Sequence, residues 1–338
     1  MEINQEKVLV TGASGYIAMH CISQLLDDGY KVKGSLRDLG KESQVRKSFD
    51  SEIAEANLEF CNLDLLKDNG WDEAASDCDY LIHIASPFII QEPKDENTLI
   101  EPALKGTLRA LNSAKNNNIK KVVLTSSMAS IAYGHNKEIC SNSDWTDLTK
   151  YAGAYIKSKT IAEKAAWDFV NDQSDRSFSL TTVHPGMVFG PLLNNDIEGA
   201  SVSLINNLIM GKFPALPDLY FTVVDVRDVA KLHVQSLKNI GSDNKRIIAT
   251  SKNSIAFIEI SKILREFGFD KAPINLIPNK VINSLAPFNK EMKSTAFMIK
   301  RGSYEVDISE TESLFNWNPI PLRKTLEDMT NSLKKIKT

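Results

Sequence analysis

The chain predicts a doubly wound α/β fold: a parallel sheet of the Rossmann type, helices on both faces, and a smaller C-terminal part. Three observations carry that expectation. Short β-rich runs alternate with helical stretches through the first half of the 338 residues. The runs are almost continuously apolar, as strands covered on both faces must be. A glycine turn joins the first run to the first helical stretch.

In order, strands are expected at "KVLVT" (7–11), "YKVKGSL" (30–36), "NLEFCNL" (57–63), "DYLIHIA" (79–85), "KKVVLTS" (120–126) and "FSLTTVH" (178–184), with helices clearest over 16–28, 98–117 and 155–171. After about residue 186 the pattern loosens, and prolines such as Pro191, Pro214, Pro217, Pro273 and Pro278 punctuate shorter elements. Only "FTVVDVRDVAKLHVQSL" (221–237) again reads as strand then helix. The expected division is a dinucleotide-binding domain over 1–185, to which 220–250 returns, and a substrate-binding part over 186–219 and 251–338.

Composition narrows the function classes. A chain 42% hydrophobic and 25% charged folds as a soluble globule of one large domain or two unequal ones. Its formal charge of −3 offers no basic stripe to a phosphate backbone, and "KNNNIKK" (115–121) reads as a solvated helix end, so nucleic acid is not an expected partner. Cys21, Cys61, Cys78 and Cys140 are widely spaced without a CxxC pair, which suits reduced thiols and a cytoplasmic location. The most apolar run, "YLIHIASPFII" (80–90), contains His83 and Pro87, and reads as a buried strand leaving its sheet; no membrane span is expected. His20, His83, His135, His184 and His233 lack metal-ligand spacing, so no metal is expected, and His83 and His184 read as core residues. A monomer or homodimer is expected.

"VLVTGASGYIAMHCISQLLDDGY" places Gly12 and Gly15 between a strand and a helix whose inner face is Ile17, Cys21, Ile22, Leu25 and Leu26. Such a turn lets backbone approach a pyrophosphate, whose charge then meets the helix N-terminus. The spacing is G-x-x-G-x-x-A, with Ala18 third; Gly12, Ser14, Gly15, Tyr16 and Ile17 are the candidate contacts. Ser14 makes no nucleophile elbow, because "GASG" lacks the G-x-S-x-G spacing.

At the end of the second strand, where an NAD enzyme places a carboxylate on the ribose, stand Arg37 and, one turn later, Lys41. A guanidinium pairs two-pronged with a 2′-phosphate, which argues for NADP. Asp38 is read either as a helix cap or as a ribose ligand. Asp64 and Leu65, closing the third strand, are placed against the adenine, with capping the alternative for Asp64; Ala85, closing the fourth, completes this side of the site.

"YAGAYIKSK" (151–159) offers two tyrosines and two lysines, but only Tyr155 and Lys159 form Y-x-x-x-K. Four apart on a helix, they share a face, as Tyr151 and Tyr155 would, while Lys157 is rotated toward solvent. A tyrosine with a free pKa of about 10 is a poor acid–base catalyst at neutral pH, and a neighbouring ammonium brings it closer to range. A third group, at the end of a neighbouring strand, comes from "VVLTSSMAS": Ser127 is the choice for polarising a carbonyl, with Ser126 in reserve. Phe88, Met128 and Met187 are candidate substrate lining, and "YGHNKEICSNSDWTDLTK" (133–150) a candidate cover, with Trp145 its anchor or a substrate contact.

"VTGASGYIA", "HIASPF", "TSSMAS", "YIKSKTIAEKAAWDF" and "HPGMVFGP" together resemble the extended short-chain dehydrogenase/reductases, in the branch of dihydroflavonol reductases, cinnamoyl-CoA reductases and fungal carbonyl (methylglyoxal) reductases. The resemblance covers about residues 5–240 strongly. It implies reduction of a small aldehyde or ketone by NADPH, with Tyr155 protonating the carbonyl oxygen, Ser127 hydrogen-bonding it, and Lys159 holding the nicotinamide ribose while lowering the tyrosine pKa. It implies too that backbone from Pro185 to Val188 meets the carboxamide and that Arg37 and Lys41 read the 2′-phosphate. Lys105 stands near where many relatives carry an active-site asparagine, and Ala132 where plant dihydroflavonol reductases have a flavonoid-contacting asparagine, which argues against a flavonoid substrate. Two other readings keep the fold: a nucleotide-sugar epimerase or dehydratase with tightly held NAD, and a non-catalytic NAD(P)-sensing protein.

Overall fold

A computed structural model of the chain describes residues 6–87, 91–172, 177–194 and 199–336. Its centre is built from strands β1 (Lys7–Val10), β2 (Lys31–Leu36), β3 (Leu58–Asn62), β4 (Tyr80–His83), β5 (Lys121–Thr125), β6 (Ser179–Pro185) and β7 (Lys245–Ala249). These form one parallel sheet in the order β7-β6-β5-β4-β1-β2-β3. The order reverses between β1 and β4, and the crevice at the carboxyl ends of those two strands is where open α/β sheets take their ligands.

Period-two burial explains why these runs are strands. Val8 and Val10 face one apolar layer and Leu9 the other, just as Val123 faces the first while Val122 and Leu124 face the second. Helix α1 (Tyr16–Asp27) covers the first layer with Ala18, Ile22, Leu25 and Leu26. Helices α2 (Asn97–Asn116) and α3 (Ala154–Asn171) cover the second with Ala110, Leu111, Ala114, Ala166 and Val170. Each fully buried Leu, Ile or Val contributes roughly 1.5–3 kcal/mol, so helices on both faces are what make so apolar a sheet stable in water.

All six expected strands form. The fourth stops at His83 instead of Ala85 because the Thr11 hydroxyl accepts from the amides of Ile84 and Ala85, at 3.0 Å each, and draws the chain out of the ladder. The stretch 221–237 differs from expectation. Its strand, Val223–Asp225, does not enter the main sheet but pairs in parallel with Met187–Phe189, and helix α4 (Val226–Ser236) follows. The segment that does join the main sheet is β7, within 220–250. Gly186 explains the departure: just past β6, its neighbour Met187 donates its amide to Thr222 O (2.8 Å), starting a new ladder.

A third apolar cluster lies in the C-terminal part, where Phe189, Val202, Ile205 and Leu208 meet Phe257, Leu264, Leu326 and Met329. Among the described residues no helix is long and apolar enough to cross a membrane. All four cysteines are free thiols.

Candidate active site

Past β1 the chain turns through Gly12, whose φ of +71° is the left-handed region that glycine enters at little cost. A Cβ at this position would lie 3.2 Å from both Cα and Cβ of Ala85, so Gly12 and Ala85 pack tightly across the crevice. The Gly12 amide donates to Ser35 Oγ (3.1 Å), and Gly15 is the N-cap of α1. A cavity opens at this helix N-terminus, lined by Ser14, Gly15, Tyr16, Met19, Leu193 and Asn194. Tyr16 closes one side by donating to Gly190 O (2.8 Å), and Ile17 packs half-buried on the core. Ala18 is fully buried where α1 presses on the sheet, so a small third residue fits. Backbone amides at a helix start facing a cavity suit a pyrophosphate.

At the end of β2 Asp38 makes the capping contact. Its Oδ1 accepts from the Gly40 amide (2.9 Å), capping the short 3₁₀ turn Leu39–Lys41. The Arg37 carbonyl is held by Asn62 Nδ2 (2.9 Å), while among the described residues no hydrogen bond or ion pair engages the exposed guanidinium. Lys41 closes the turn, also exposed. Asp64 serves a turn: Oδ1 accepts from the Leu66 amide (3.0 Å). Leu65 packs on Gly106 of α2, so close that a Cβ there would lie 2.5 Å from Leu65 Cδ2.

Ser127, Tyr155 and Lys159 come together at the carboxyl end of β5. Ser127 follows the strand in extended conformation (φ −166°, ψ 154°), and its Oγ accepts from the Ala129 amide (3.1 Å), capping the turn Met128–Ser130. Tyr155, half-buried on the first turn of α3, is hydrogen-bonded to the Ser127 side chain. Lys159, one turn on and buried, donates from Nζ to Thr125 O (3.2 Å).

Burial raises the pKa of the Tyr155 phenol and its hydrogen bond with Ser127 opposes the rise, while Lys159 Nζ donates to the Thr125 carbonyl. Burial in turn lowers Lys159 to about 8, against the charge of Glu163. Two histidines border this lysine, and burial holds both neutral: His83 falls to about 3 and His233 to about 4, each also repelled by Lys159. The Thr11 hydroxyl, already accepting two amides, donates to His83 Nδ1 (2.9 Å). His233 donates from Nδ1 to Val229 O (2.8 Å), which leaves Nε2 to accept from Thr125 Oγ1 (2.7 Å). These tautomers are set by partners, and His83 sits in the core as expected.

Other expectations divide. Tyr151 does not share the helix face of Tyr155, because α3 starts only at Ala154; Glu92 Oε2 accepts from the Ala154 amide (3.1 Å), and Lys293 Nζ lies 4.2 Å over the Tyr151 ring. Lys157 pairs with Glu96 (2.6 Å). Lys105 is exposed and paired with Glu101, out of reach of the site; Thr107, two residues on, is the α2 residue that lines a small polar cavity beside Lys159, shared with His83, Thr125, Ser126 and Glu163. Ala132 is buried, its carbonyl accepting from Arg301 Nε (2.7 Å).

Met128 is buried in the core and Met187 half-buried, while Phe88 lies outside the described residues. Pro185 ends β6 and Val188 is buried in the following strand; between them a Cβ on Gly186 would lie 2.2 Å from Thr250 Oγ1 and 2.3 Å from Thr222 O, so only glycine lets the backbone through. Trp145 is an anchor: the Arg246 guanidinium lies 3.8 Å over its ring. Glu163, Arg246 and Thr107 were not singled out from sequence. For Glu163 a signal existed, since it continues the i, i+4 series of Tyr155 and Lys159.

The profile of the NAD dependent epimerase/dehydratase family matches residues 8–249. A cinnamoyl-CoA reductase of Medicago truncatula is 35% identical over 319 residues, which cover 91% of this chain and 95% of that protein. The NADPH-dependent methylglyoxal reductase GRE2 of Saccharomyces cerevisiae is 32% identical over 281 residues, 77% of this chain and 82% of its own. Among solved structures, Gre2 of Candida albicans in complex with NADPH superimposes with a TM-score of 0.80 at 26% identity, covering 98% of this chain and all of that one.

Proposed function

Because this chain belongs to the NAD dependent epimerase/dehydratase family, we propose that it is an NADPH-dependent reductase converting an aldehyde or ketone to an alcohol, with Ser127, Tyr155 and Lys159 as its catalytic residues. The observation that carries the reading is the Tyr155–Ser127 hydrogen bond with Lys159 one helical turn away, beside the switch point of the sheet. Relatives named as reductases support it, one of them called NADPH-dependent.

The residues present fit the cofactor. The cavity at the start of α1 suits the pyrophosphate, Gly12 and Ala85 leave only backbone at the crevice, and the Arg37 guanidinium is available for a 2′-phosphate while Asp38 is engaged as a cap. When bound, NADPH would supply the hydride. The protein's part is the proton and its placement. A substrate oxygen between Ser127 Oγ and Tyr155 Oη accepts from both, and as charge develops on that oxygen the two donors strengthen. Tyr155 is kept protonated by burial, which is the state a proton donor needs, and it passes its proton to the new alkoxide. Lys159, its Nζ donating to the Thr125 carbonyl, is assigned to the nicotinamide ribose. Backbone from Pro185 to Val188, fixed by the lack of room at Gly186, is assigned to the carboxamide, and the half-buried Met187 to substrate. Free thiols accord with a cytoplasmic setting, and the enzyme is taken to act as a monomer or homodimer.

The test is NADPH absorbance with a panel of carbonyls that includes methylglyoxal and a cinnamoyl thioester. Stoichiometric consumption of NADPH with alcohol formed is expected. Turnover of a nucleotide sugar without net cofactor consumption would replace this reading with epimerisation, and cofactor binding with no turnover of either class would leave a sensing protein.

A further inference from the structure

We propose that Glu163 is a positioning residue: its single buried carboxylate ties Ser126 and Ser130, on either side of Ser127, to the helix that carries Tyr155 and Lys159. The proposal rests on the catalytic reading above and adds a residue to it. Glu163 is 1% exposed. Its Oε2 lies 2.6 Å from Ser126 Oγ and 2.5 Å from Ser130 Oγ; its Oε1 lies 2.7 Å from His184 Nε2, 2.7 Å from Arg246 Nε and 3.2 Å from Trp167 Nε1. One side chain thus joins α3, the turn after β5, β6 and β7. Arg246 carries the tie outward, donating to the carbonyls of Asn142 (2.7 Å) and Asp144 (2.6 Å) beneath Trp145.

Burial alone would raise the pKa of Glu163, but the charge and hydrogen bond of His184, and after them those of Arg246, overcome it and hold the pKa well below the usual carboxylate range. His184 is itself lowered by burial while Glu163 pulls it the other way, and Arg246 is the second charge partner, its Nε 2.7 Å from Glu163 Oε1. A buried ion pair is weak evidence for stability, since packed apolar residues do as well or better. Position is what distinguishes this one. With Ser126 and Ser130 both turned to Glu163, Ser127 is the serine of the turn left aimed at Tyr155. The same carboxylate sits one helical turn beyond Lys159 and lines the same small cavity. The other ionisable groups facing Lys159 are Tyr155 on its own helix, His83 at the end of β4, and His233 on α4, the two histidines being neutral. Glu163 therefore supplies the negative charge that favours the ammonium.

The experiment compares Glu163→Gln and Glu163→Asp in the full chain, reading NADPH-driven turnover against pH and NADPH affinity by direct binding. Gln has the right length but presents an amide N–H to a ring of donors. Its turnover should fall about ten- to a hundredfold, the range for a displaced catalytic group, with NADPH affinity within about threefold. The alkaline limb of its pH profile should move to lower pH by about half a unit or more, because Lys159 loses the charge that favours its proton. Asp keeps the charge but is one methylene short, so it should return the limb to its wild-type position and recover turnover only in part. A Glu163→Gln profile with an unmoved limb, turnover within about threefold of wild type, or an equal loss in turnover and NADPH affinity would each overturn the proposal. If Glu163→Gln does not fold, Ser130→Ala and Glu163→Asp decide: turnover lowered in both supports the proposal, and wild-type turnover in either overturns it. Tyr155→Phe run alongside separates the two levels, since full turnover there would refute the catalytic reading itself, whatever Glu163 does.

Discussion

Replacing Arg37 with alanine should weaken NADPH by about ten- to a hundredfold and leave NADH nearly unchanged. The magnitude follows from the local structure. The Arg37 backbone is fixed, because Asn62 Nδ2 holds the carbonyls of Leu36 and Arg37 at 3.2 and 2.9 Å. Its guanidinium is exposed and engaged with no described residue, so pairing with a phosphate breaks no existing bond. A charge-assisted hydrogen bond contributes about 1.5–3 kcal/mol. At 1.4 kcal/mol per decade this is about ten- to a hundredfold. Lys41, at the end of the next turn, approaches as a point charge on a flexible stem; its alanine variant should lose about three- to tenfold and respond more steeply to salt, since the screening length shrinks from about 10 Å at 0.1 M to about 3 Å at 1 M.

The assay is cofactor affinity by fluorescence titration for wild type, Arg37→Ala, Lys41→Ala and Asp38→Asn, each at two salt concentrations. Asp38→Asn is the internal control. Asparagine caps as well as aspartate, and Asp38 spends its oxygen on the Gly40 amide, so that variant should keep NADPH and NADH affinities within about threefold of wild type. Equal wild-type affinity for the two cofactors, or an Arg37→Ala loss shared by NADH, would refute the reasoning. A large loss of NADH binding in Asp38→Asn would show that Asp38 holds the ribose instead.

Three more outcomes are expected. Tyr155→Phe should lower turnover by about 10²–10⁴ with NADPH binding nearly unchanged, and Tyr151→Phe, which loses a hydroxyl outside α3, should do little; equal losses in steady-state kinetics would undo the assignment. Ser127→Ala should chiefly lower turnover, by about 10–10³, because its hydrogen bond strengthens as the oxyanion forms, and Ser126→Ala, which loses one of the Glu163 contacts, should be milder; a reversed order in kcat would move the role to Ser126. Lys159 has its pKa lowered by burial to about 8, so between about pH 8 and its unfolded value near 10.5 the folded state binds fewer protons than the unfolded one and stability from this residue rises with pH, by linkage. Chemical denaturation of wild type and Lys159→Met across pH 7–10 should show that rise in wild type only; parallel curves would mean that Lys159 is not buried as described.

Much of the fold was legible because its signals are local. Buried strands announce themselves as short apolar runs, and a glycine at the first turn marks where backbone meets backbone, as Gly12 does with Ala85. What escaped depended on partners far along the chain. Helix α3, expected over 155–171, begins at Ala154, whose amide is taken by Glu92, sixty-two residues earlier, so Tyr151 falls outside the helix face it is expected to share with Tyr155. The strand at 223–225 has the composition of a main-sheet strand, and what diverts it is the ladder begun by Met187 after Gly186.

The same division runs through the site. Tyr155, Lys159 and Ser127 could be read from spacing, because a helix fixes which residues share a face and a strand end fixes where a side chain emerges. The electrostatics of those residues could not. The expectation that Lys159 acts on the phenol treats the pair in isolation. In the folded chain the ammonium answers to Thr125 O, to two neutral histidines from β4 and α4, and to Glu163, while the phenol answers first to burial and to Ser127. These groups come from separate elements and meet only because the first turns of α3 lie at the carboxyl ends of β4 and β5. A motif therefore names the atoms that react, and the fold decides the field in which they do so. It is for that reason that a residue outside the motif, Glu163, is expected to move the pH profile of a reaction whose proton it never touches.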